Sequence, residues 1–109
     1  MTDIYSMTEA QLLQEVTLRC DRYGVAWVHI DTPHHNRRGQ NMAGFPDLFL
    51  CGPEGAAFRE LKSRSGRIGA EQWNWGHRLL TAGENWAVWQ PDNLSSGDID
   101  KELAALAGS

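Results

Sequence analysis

The chain has 109 residues and a mass of 12.2 kDa, which is the size of one domain. Its 41% hydrophobic and 22% charged residues are near the average for globular proteins and exclude disordered, collagen-like and coiled-coil classes. Its apolar stretches fall far below the ~20 residues that cross a bilayer, and the N-terminus lacks the basic and apolar regions of a secretory signal. We therefore expect one cytoplasmic domain over residues 1–109, with no membrane contact.

The net charge of −4 is distributed unevenly along the chain. Residues 33–78 carry seven Lys and Arg against four Asp and Glu, a local balance of +3, and the remainder carries −7. A basic middle segment permits a phosphate-rich partner despite the negative total, because the attraction acts locally. An ordinary mixed surface gives the same counts, so charge alone does not select a nucleic-acid function.

The first predicted elements are an amphipathic helix and a strand. Thr8 and Gln11 fit a capping box, apolar residues then recur at helical spacing, and Gly24 stops the pattern, which predicts a helix over residues 8–23. The β-branched and aromatic residues 25–30 predict a strand. The polar segment that follows, through residue 43, is predicted to be a loop facing water or a ligand.

The next predicted element is a β-hairpin, with strands over residues 47–51 and 57–62 around a Gly- and Pro-rich turn. These strands are expected at the centre of the sheet. Beyond a second polar loop over 63–69, the pattern predicts a helix over 70–82, a strand over 86–89 and a short helix over 99–106. A strand, a helix and a strand in succession favour a right-handed parallel crossover, so we expect an α/β fold with a mixed central sheet flanked by helices.

Two cysteines add little chemistry to this picture. Cys20 and Cys51 are isolated and form no CxxC pair, so neither a disulfide framework nor a zinc site is indicated. We expect both to be small buried apolar side chains.

The triplet Glu60-Leu61-Lys62 contains the first candidate chemistry. In a strand, alternate side chains share a face, so Glu60 and Lys62 project together, about 6.7 Å apart along the chain, and Leu61 faces the core. Asp47 can reach the same face if the hairpin register sets it beside Glu60. Two close carboxylates repel, and a divalent cation reverses that cost, so the three side chains describe a pocket for Mg²⁺ or Mn²⁺. Taken alone, the triplet also fits a surface strand that alternates Glu and Lys.

A longer set of residues carries a family resemblance. It comprises Glu9, His29, Gly44-Phe45-Pro46-Asp47-Leu48, Glu60-Leu61-Lys62-Ser63, Gly66-Arg67, Gln72-x-x-Trp75 and Trp89-Gln90-Pro91. This set resembles the virus-type replication-repair nuclease (VRR-NUC) domain of the PD-(D/E)xK nuclease superfamily, in its small, stand-alone, phage-like form. The resemblance covers residues 8–106 and implies a restriction-endonuclease-like αβββαβ core.

The resemblance also implies roles for individual residues. Asp47 and Glu60 are expected to ligate Mg²⁺ or Mn²⁺, the backbone carbonyl of Leu61 is a possible further ligand, and Lys62 is the expected catalytic lysine. Gln72 matches a glutamine that supports the site from the following helix.

One glutamate of the first helix completes the implied set of metal ligands. Glu9 matches the family's helix-one glutamate, which binds metal directly or through water. Glu15 is the substitute if that alignment is wrong. The alternative is that Glu9 only stabilises the helix, because the helix dipole favours a carboxylate near the N-terminus.

Candidate nucleic-acid contacts come from the polar loops, where the segment between His29 and Gly44 is longer than the resemblance predicts. Basic side chains there and in the second loop are candidates for phosphates that flank the metal: Arg37, Arg38, Arg64 and Arg67. His29 is a candidate for water or phosphate contact, and a histidine satisfied by structural hydrogen bonds is the alternative. The dyad His34-His35 lacks the zinc-ribbon cysteines of an HNH nuclease. The tryptophans are expected in the core or at a dimer contact.

These observations predict a metal-dependent DNA endonuclease that hydrolyses phosphodiester bonds. The resemblance implies a homodimer that acts on branched DNA such as four-way junctions, because cutting two strands requires two active centres. Two alternatives remain open: a nucleic-acid-binding or assembly subunit that keeps the fold without cleaving, and a protein-interaction module that does not bind DNA.

Overall fold

The structure is a computed structural model that describes residues 3–31 and 43–109. Its elements, in chain order, are α1 (Glu9–Tyr23), β1 (Ala26–His29), β2 (Leu48–Gly52), β3 (Gly55–Leu61), α2 (Ala70–Thr81), β4 (Trp86–Trp89), α3 (Pro91–Ser95) and α4 (Asp98–Ala107). Within these ranges, no helix is long and apolar enough to span a bilayer.

Helix α1 begins and ends where the sequence predicts. The Thr8 hydroxyl accepts a hydrogen bond from the Gln11 amide at 3.1 Å, and the Thr8 amide donates to the Gln11 side chain at 2.9 Å, which completes the capping box. At the other end Gly24 adopts a left-handed conformation with φ 76°, a region that glycine enters without strain. Leu12, Val16 and Cys20 form the buried face of the helix.

The four strands form one mixed sheet in the order β1-β2-β3-β4. The pairs β1–β2 and β2–β3 are antiparallel, whereas β3 and β4, which are joined by α2, run parallel. The hairpin strands therefore lie at the centre and the crossover is parallel, which confirms the predicted α/β fold with a mixed sheet.

The hairpin turn is shorter than the sequence suggests. Gly52 and Gly55 pair with each other, so Pro53 and Glu54 alone form the turn. A side chain at Gly52 would overlap the backbone carbonyl of Leu106, because the end of α4 packs directly on the hairpin. The Glu54 amide donates to that same carbonyl at 3.0 Å. Glycine is required at position 52 by this close approach to the helix.

The main core lies on one face of the sheet, where α1 and α4 pack. Strand alternation and register place Leu48, Leu50, Ala57 and Leu61 on this face. Helix α2 lies on the opposite face, against β4. Cys20 is buried in the core as expected, and burial raises its pKa to about 11. The expectation for Cys51 is wrong: it is exposed, because alternation places it on the face opposite Leu50.

One member of the basic middle segment lies in the core instead of on the surface. Arg59 is 2% exposed, and its guanidinium pairs with the Glu102 carboxylate of α4 at 2.7 Å. The Trp89 indole donates to the other oxygen of the same carboxylate at 2.9 Å. This cluster links β3, β4 and α4, and its positive charge is therefore not available to a nucleic acid.

Gly76 lets α2 lie close to β4. A Cβ at this position would stand 2.5 Å from the Trp86 indole. Gly76→Ala should therefore lower the free energy of unfolding by about 1–3 kcal/mol, as overpacking does. Urea denaturation measures the change, with Asn74→Ala on the exposed side of the same helix as the control. In an open helical position the same substitution would stabilise by about 1 kcal/mol. A stabilised Gly76→Ala protein would contradict the close packing.

Candidate active site

Side chains from two strands and one helix meet at one end of the sheet. Asp47 directly precedes β2, Glu60 lies in β3, and Gln72 lies in α2. The Leu61 amide donates to Asp47 Oδ2 at 2.8 Å, and the Gln72 side-chain amide donates to Glu60 Oε2 at 3.0 Å. Each carboxylate thus has one oxygen fixed by a hydrogen bond, and its second oxygen is held in a defined orientation.

The hairpin register explains why the two carboxylates are close. Leu48 pairs with Arg59, and extending this antiparallel register by one residue sets Asp47 opposite Glu60. The Ile30 amide donates to the Asp47 backbone carbonyl at 2.7 Å, which ties the end of β1 to the same point. The structure therefore brings Asp47 and Glu60 together as the sequence predicts.

A glycine brings the segment before Asp47 onto α2. Gly44 has φ 80°, and a Cβ there would overlap the backbone carbonyl of Glu71. Gln72 follows Glu71 directly, so this contact between two backbones fixes the position of Asp47 relative to Gln72. The Gln72 side-chain oxygen also accepts a hydrogen bond from the Gly69 amide at 2.8 Å, which holds the side chain that supports Glu60.

The electrostatics of the site centre on Glu60, which is 2% exposed. Burial, followed by the hydrogen bond and the negative charge of Asp47, raises the Glu60 pKa to about 9. The Glu9 charge raises it further, and the Lys62 ammonium lowers it. Without a cation, this site therefore favours a proton on Glu60 at neutral pH.

The remaining predicted catalytic and metal-binding residues surround this pair. Lys62 follows β3 directly, is half-buried, and donates its amide to the Trp89 carbonyl at 3.1 Å. Glu9 is exposed in the first turn of α1. Glu15, the substitute for Glu9, instead pairs with Arg19 at 3.1 Å.

A cleft of about 210 Å³ opens beside Asp47, between α1 and the ends of the strands. Its lining residues are Glu9, Ala10, Leu13, His29, Asp47 and Leu61. Half of these residues are aliphatic, and the other half are two carboxylates and one imidazole. Asp47 is therefore reached from the α1 side of the sheet, whereas Glu60 does not line this cleft.

The chemistry of these donors fits a divalent cation such as Mg²⁺. Over residues 3–31 and 43–109, no group of three or more His, Cys, Asp and Glu side chains lies close enough together to hold a metal ion. Mg²⁺ does not require such a group, because it is commonly bound by one or two carboxylates together with waters and substrate phosphates. Asp47 and Glu60 supply the two carboxylates, and the Leu61 carbonyl is adjacent in sequence.

The predicted phosphate contacts differ in their surroundings. Arg64 pairs with Asp92 at 3.2 Å and lies over the Tyr5 ring at 4.3 Å. Arg67 is exposed in the loop between β3 and α2. His29 is exposed at the end of β1, where it lines the cleft. The candidates Arg37 and Arg38, and the His34-His35 dyad, lie outside the described residues.

Sequence reasoning missed three contacts in and around the site. The pairing of Arg64 with Asp92 and its stacking on Tyr5 join residues far apart in the chain, and no spacing signals them. The contact of Gly44 with α2 could be suspected only from the glycine itself.

The tryptophans behave as expected in part: Trp86 and Trp89 are buried, whereas Trp73 is 47% exposed.

The comparisons with known proteins identify no relative. No family model matches the chain, and neither a curated protein nor a solved structure matches it. The resemblance to the VRR-NUC domain thus rests on the residues quoted above, and the function is argued from the site.

Proposed function

We propose that the protein is a metal-dependent nuclease that hydrolyses phosphodiester bonds in DNA. The observation that carries the proposal is the pairing of Asp47 with Glu60 across the hairpin register, with each carboxylate fixed by one hydrogen bond. Lys62 lies close enough to act electrostatically on Glu60. A divalent cation held by these carboxylates, together with the nearby ammonium, would stabilise the negative charge that develops on a phosphate.

The residues of the chain have distinct roles in this reaction. Asp47 and Glu60 would hold Mg²⁺ or Mn²⁺, with the Leu61 carbonyl as a further ligand and Glu9 acting through a bound water. The bound ion supplies charge neutralisation at the phosphate and a water of lowered pKa. Lys62 positions the attacking water or stabilises charge on the phosphoryl oxygens. Gln72 holds the Glu60 carboxylate in place through its 3.0 Å hydrogen bond.

Branched DNA is the proposed substrate, and a homodimer is the proposed active form. The described part of each chain has one such carboxylate pair, so cutting two strands at a junction requires two copies of the chain. Arg67, in the loop before α2, and Arg37 and Arg38 are the proposed contacts to flanking phosphates. Arg64 contributes less free charge, because Asp92 pairs with it.

A cleavage panel tests this proposal. The purified protein is incubated with linear, flapped and four-way DNA, with and without Mn²⁺, and products are separated on denaturing gels. We expect Mn²⁺-dependent cutting, fastest on the branched substrates. Lys62→Ala should lower the rate by about 10²-fold, since charge-stabilising groups contribute at this scale.

The matched control for Lys62→Ala is Lys101→Ala, at an exposed position on α4. It should cut at the rate of the unmodified chain. Salt-sensitive DNA binding without cutting would instead favour the non-catalytic binding subunit, and neither binding nor cutting would favour a protein-interaction module.

A further inference from the structure

Three residues that line the cleft beside Asp47 have no assigned role in holding a metal ion: Ala10, Leu13 and His29. Ala10 and Leu13 of α1 line the cleft, and Leu61 of β3 lines it as well. The cleft is many times larger than the ~30 Å³ share of one water molecule, and at about 210 Å³ it is smaller than the roughly 300 Å³ where drug-sized pockets begin. One ring system, such as a nucleobase, is the group of matching size.

The cleft is also placed to receive a specific part of a nucleic acid. Glu60 and Gln72 lie on the α2 side of the strands, whereas Leu61 and the cleft lie on the α1 side. Asp47 connects the two sides, because its side chain hydrogen-bonds with Glu60 and it also lines the cleft. A phosphate bound at the carboxylate pair would therefore have an adjoining nucleoside within reach of the cleft.

The polar groups of the lining suit a base better than a second phosphate. Two carboxylates, Glu9 and Asp47, would repel a phosphate, while the exposed His29 ring can stack on a base or donate a hydrogen bond to its edge. The aliphatic side chains provide the apolar surface that a base requires when it leaves its stack.

We propose that this cleft binds the unpaired nucleobase next to the scissile phosphate. The proposal rests on the proposed nuclease function and deepens it, because it names the substrate: DNA whose nucleotide at the cut is unpaired or easily extruded. A base inside a continuous duplex enters such a cleft only after unstacking, which costs a few kcal/mol, and a branch point removes most of that cost. Substrate choice then follows from the cleft, without sequence-specific contacts.

A fluorescence scan tests the cleft separately from catalysis. A series of single strands and four-way junctions carries 2-aminopurine at one position each, and emission is measured with the protein and Mn²⁺ immediately after mixing, before products accumulate. We expect emission to rise about twofold or more only at the nucleotide that flanks the mapped cut, because an unstacked 2-aminopurine is less quenched. In Ala10→Phe, which fills the cleft, the rise should disappear, and KM for the junction should increase about tenfold, equivalent to roughly 1.4 kcal/mol of binding.

Gln14→Phe is the matched control, because Gln14 is exposed on the same helix outside the cleft lining. It should keep both the emission and the KM of the unmodified chain, and both variants should bind Mn²⁺ equally by thermal shift. Unchanged emission and KM in Ala10→Phe would overturn the proposal. A position-specific signal without cutting would support base binding in the cleft and contradict the nuclease function. Cutting without any signal would support the nuclease function and contradict base binding in the cleft.

Discussion

Asp47→Asn should abolish detectable metal-dependent cutting and leave the fold intact. Asparagine has the same shape and can still accept the hydrogen bond from the Leu61 amide, but it lacks the charge that holds a divalent cation. We expect the cleavage rate to fall by about 10³-fold or more, since electrostatic stabilisation of a phosphoryl group supplies several kcal/mol of the barrier reduction. Single-turnover cleavage at saturating Mn²⁺ measures this loss.

The stability of this variant provides an internal check. Removing the Asp47 charge removes one cause of the raised Glu60 pKa, so Asp47→Asn should unfold at the same urea concentration as the unmodified chain or a higher one. The matched control is Glu84→Gln, which removes a carboxylate charge at an exposed position away from the site and should cut normally. Full activity in folded Asp47→Asn would refute the assigned metal site.

The sequence predicted the parts of the fold that depend on local patterns. The Thr8 capping box, the helical periodicity of α1 and the alternation of β3 are read over a few neighbouring residues. The parallel pairing of β3 with β4 followed from the strand-helix-strand order alone. Helix α3 was missed, because five residues are too few to show a period.

The burial of charged side chains could not be predicted from the same patterns. Arg59 counts as a surface cation by composition, and only the arrival of Glu102 from α4 makes its buried position tolerable. Alternation predicted the side of the strand on which Glu60 projects, but its burial depends on α2 and on Gln72. Long-range packing decides both cases.

The candidate site was predicted better than its surroundings, because the pairing of its carboxylates depends on a local pattern and the contacts around it depend on long-range packing. A hairpin register is fixed by its turn and by its alternating pattern, so Asp47 and Glu60 could be paired from sequence. The ion pair between Arg64 and Asp92 joins the loop after β3 to helix α3, beyond α2 and β4, and no local pattern relates the two residues. It follows that the carboxylate pair can be inferred before the structure, whereas the charges that remain free on the surface cannot.

Glu60→Gln should stabilise the metal-free protein, and the gain should grow with pH. Glutamine resembles the protonated carboxyl group and can still accept the hydrogen bond from Gln72. In the unmodified chain, the Glu60 pKa rises from 4.5 in the unfolded state to about 9 in the folded state. Folding therefore retains a proton that the unfolded chain releases, so the free energy of unfolding falls as pH rises from about 4.5 to about 9.

The variant has no such proton to retain, so this part of the pH dependence should vanish. At pH 7 the difference between Glu60→Gln and the unmodified chain should be on the order of 3 kcal/mol in favour of the variant, at about 1.4 kcal/mol per pKa unit. Near pH 4.5 the two proteins should be almost equally stable. Urea denaturation at pH 5, 7 and 9 measures the divergence, with exposed Glu54→Gln as the control.

Adding Mn²⁺ at pH 8 should make the unmodified chain more stable to unfolding than Glu60→Gln, the reverse of their order without the ion. An ion that binds the ionised carboxylate pair displaces the proton from Glu60 and stabilises only the folded unmodified chain, in proportion to its concentration over its dissociation constant. Glu60→Gln has lost one of the two ligands, so its unfolding midpoint should barely move. Parallel pH curves for the two proteins, or an equal Mn²⁺ shift in both, would show that Glu60 is not the proton- and metal-binding group of this site.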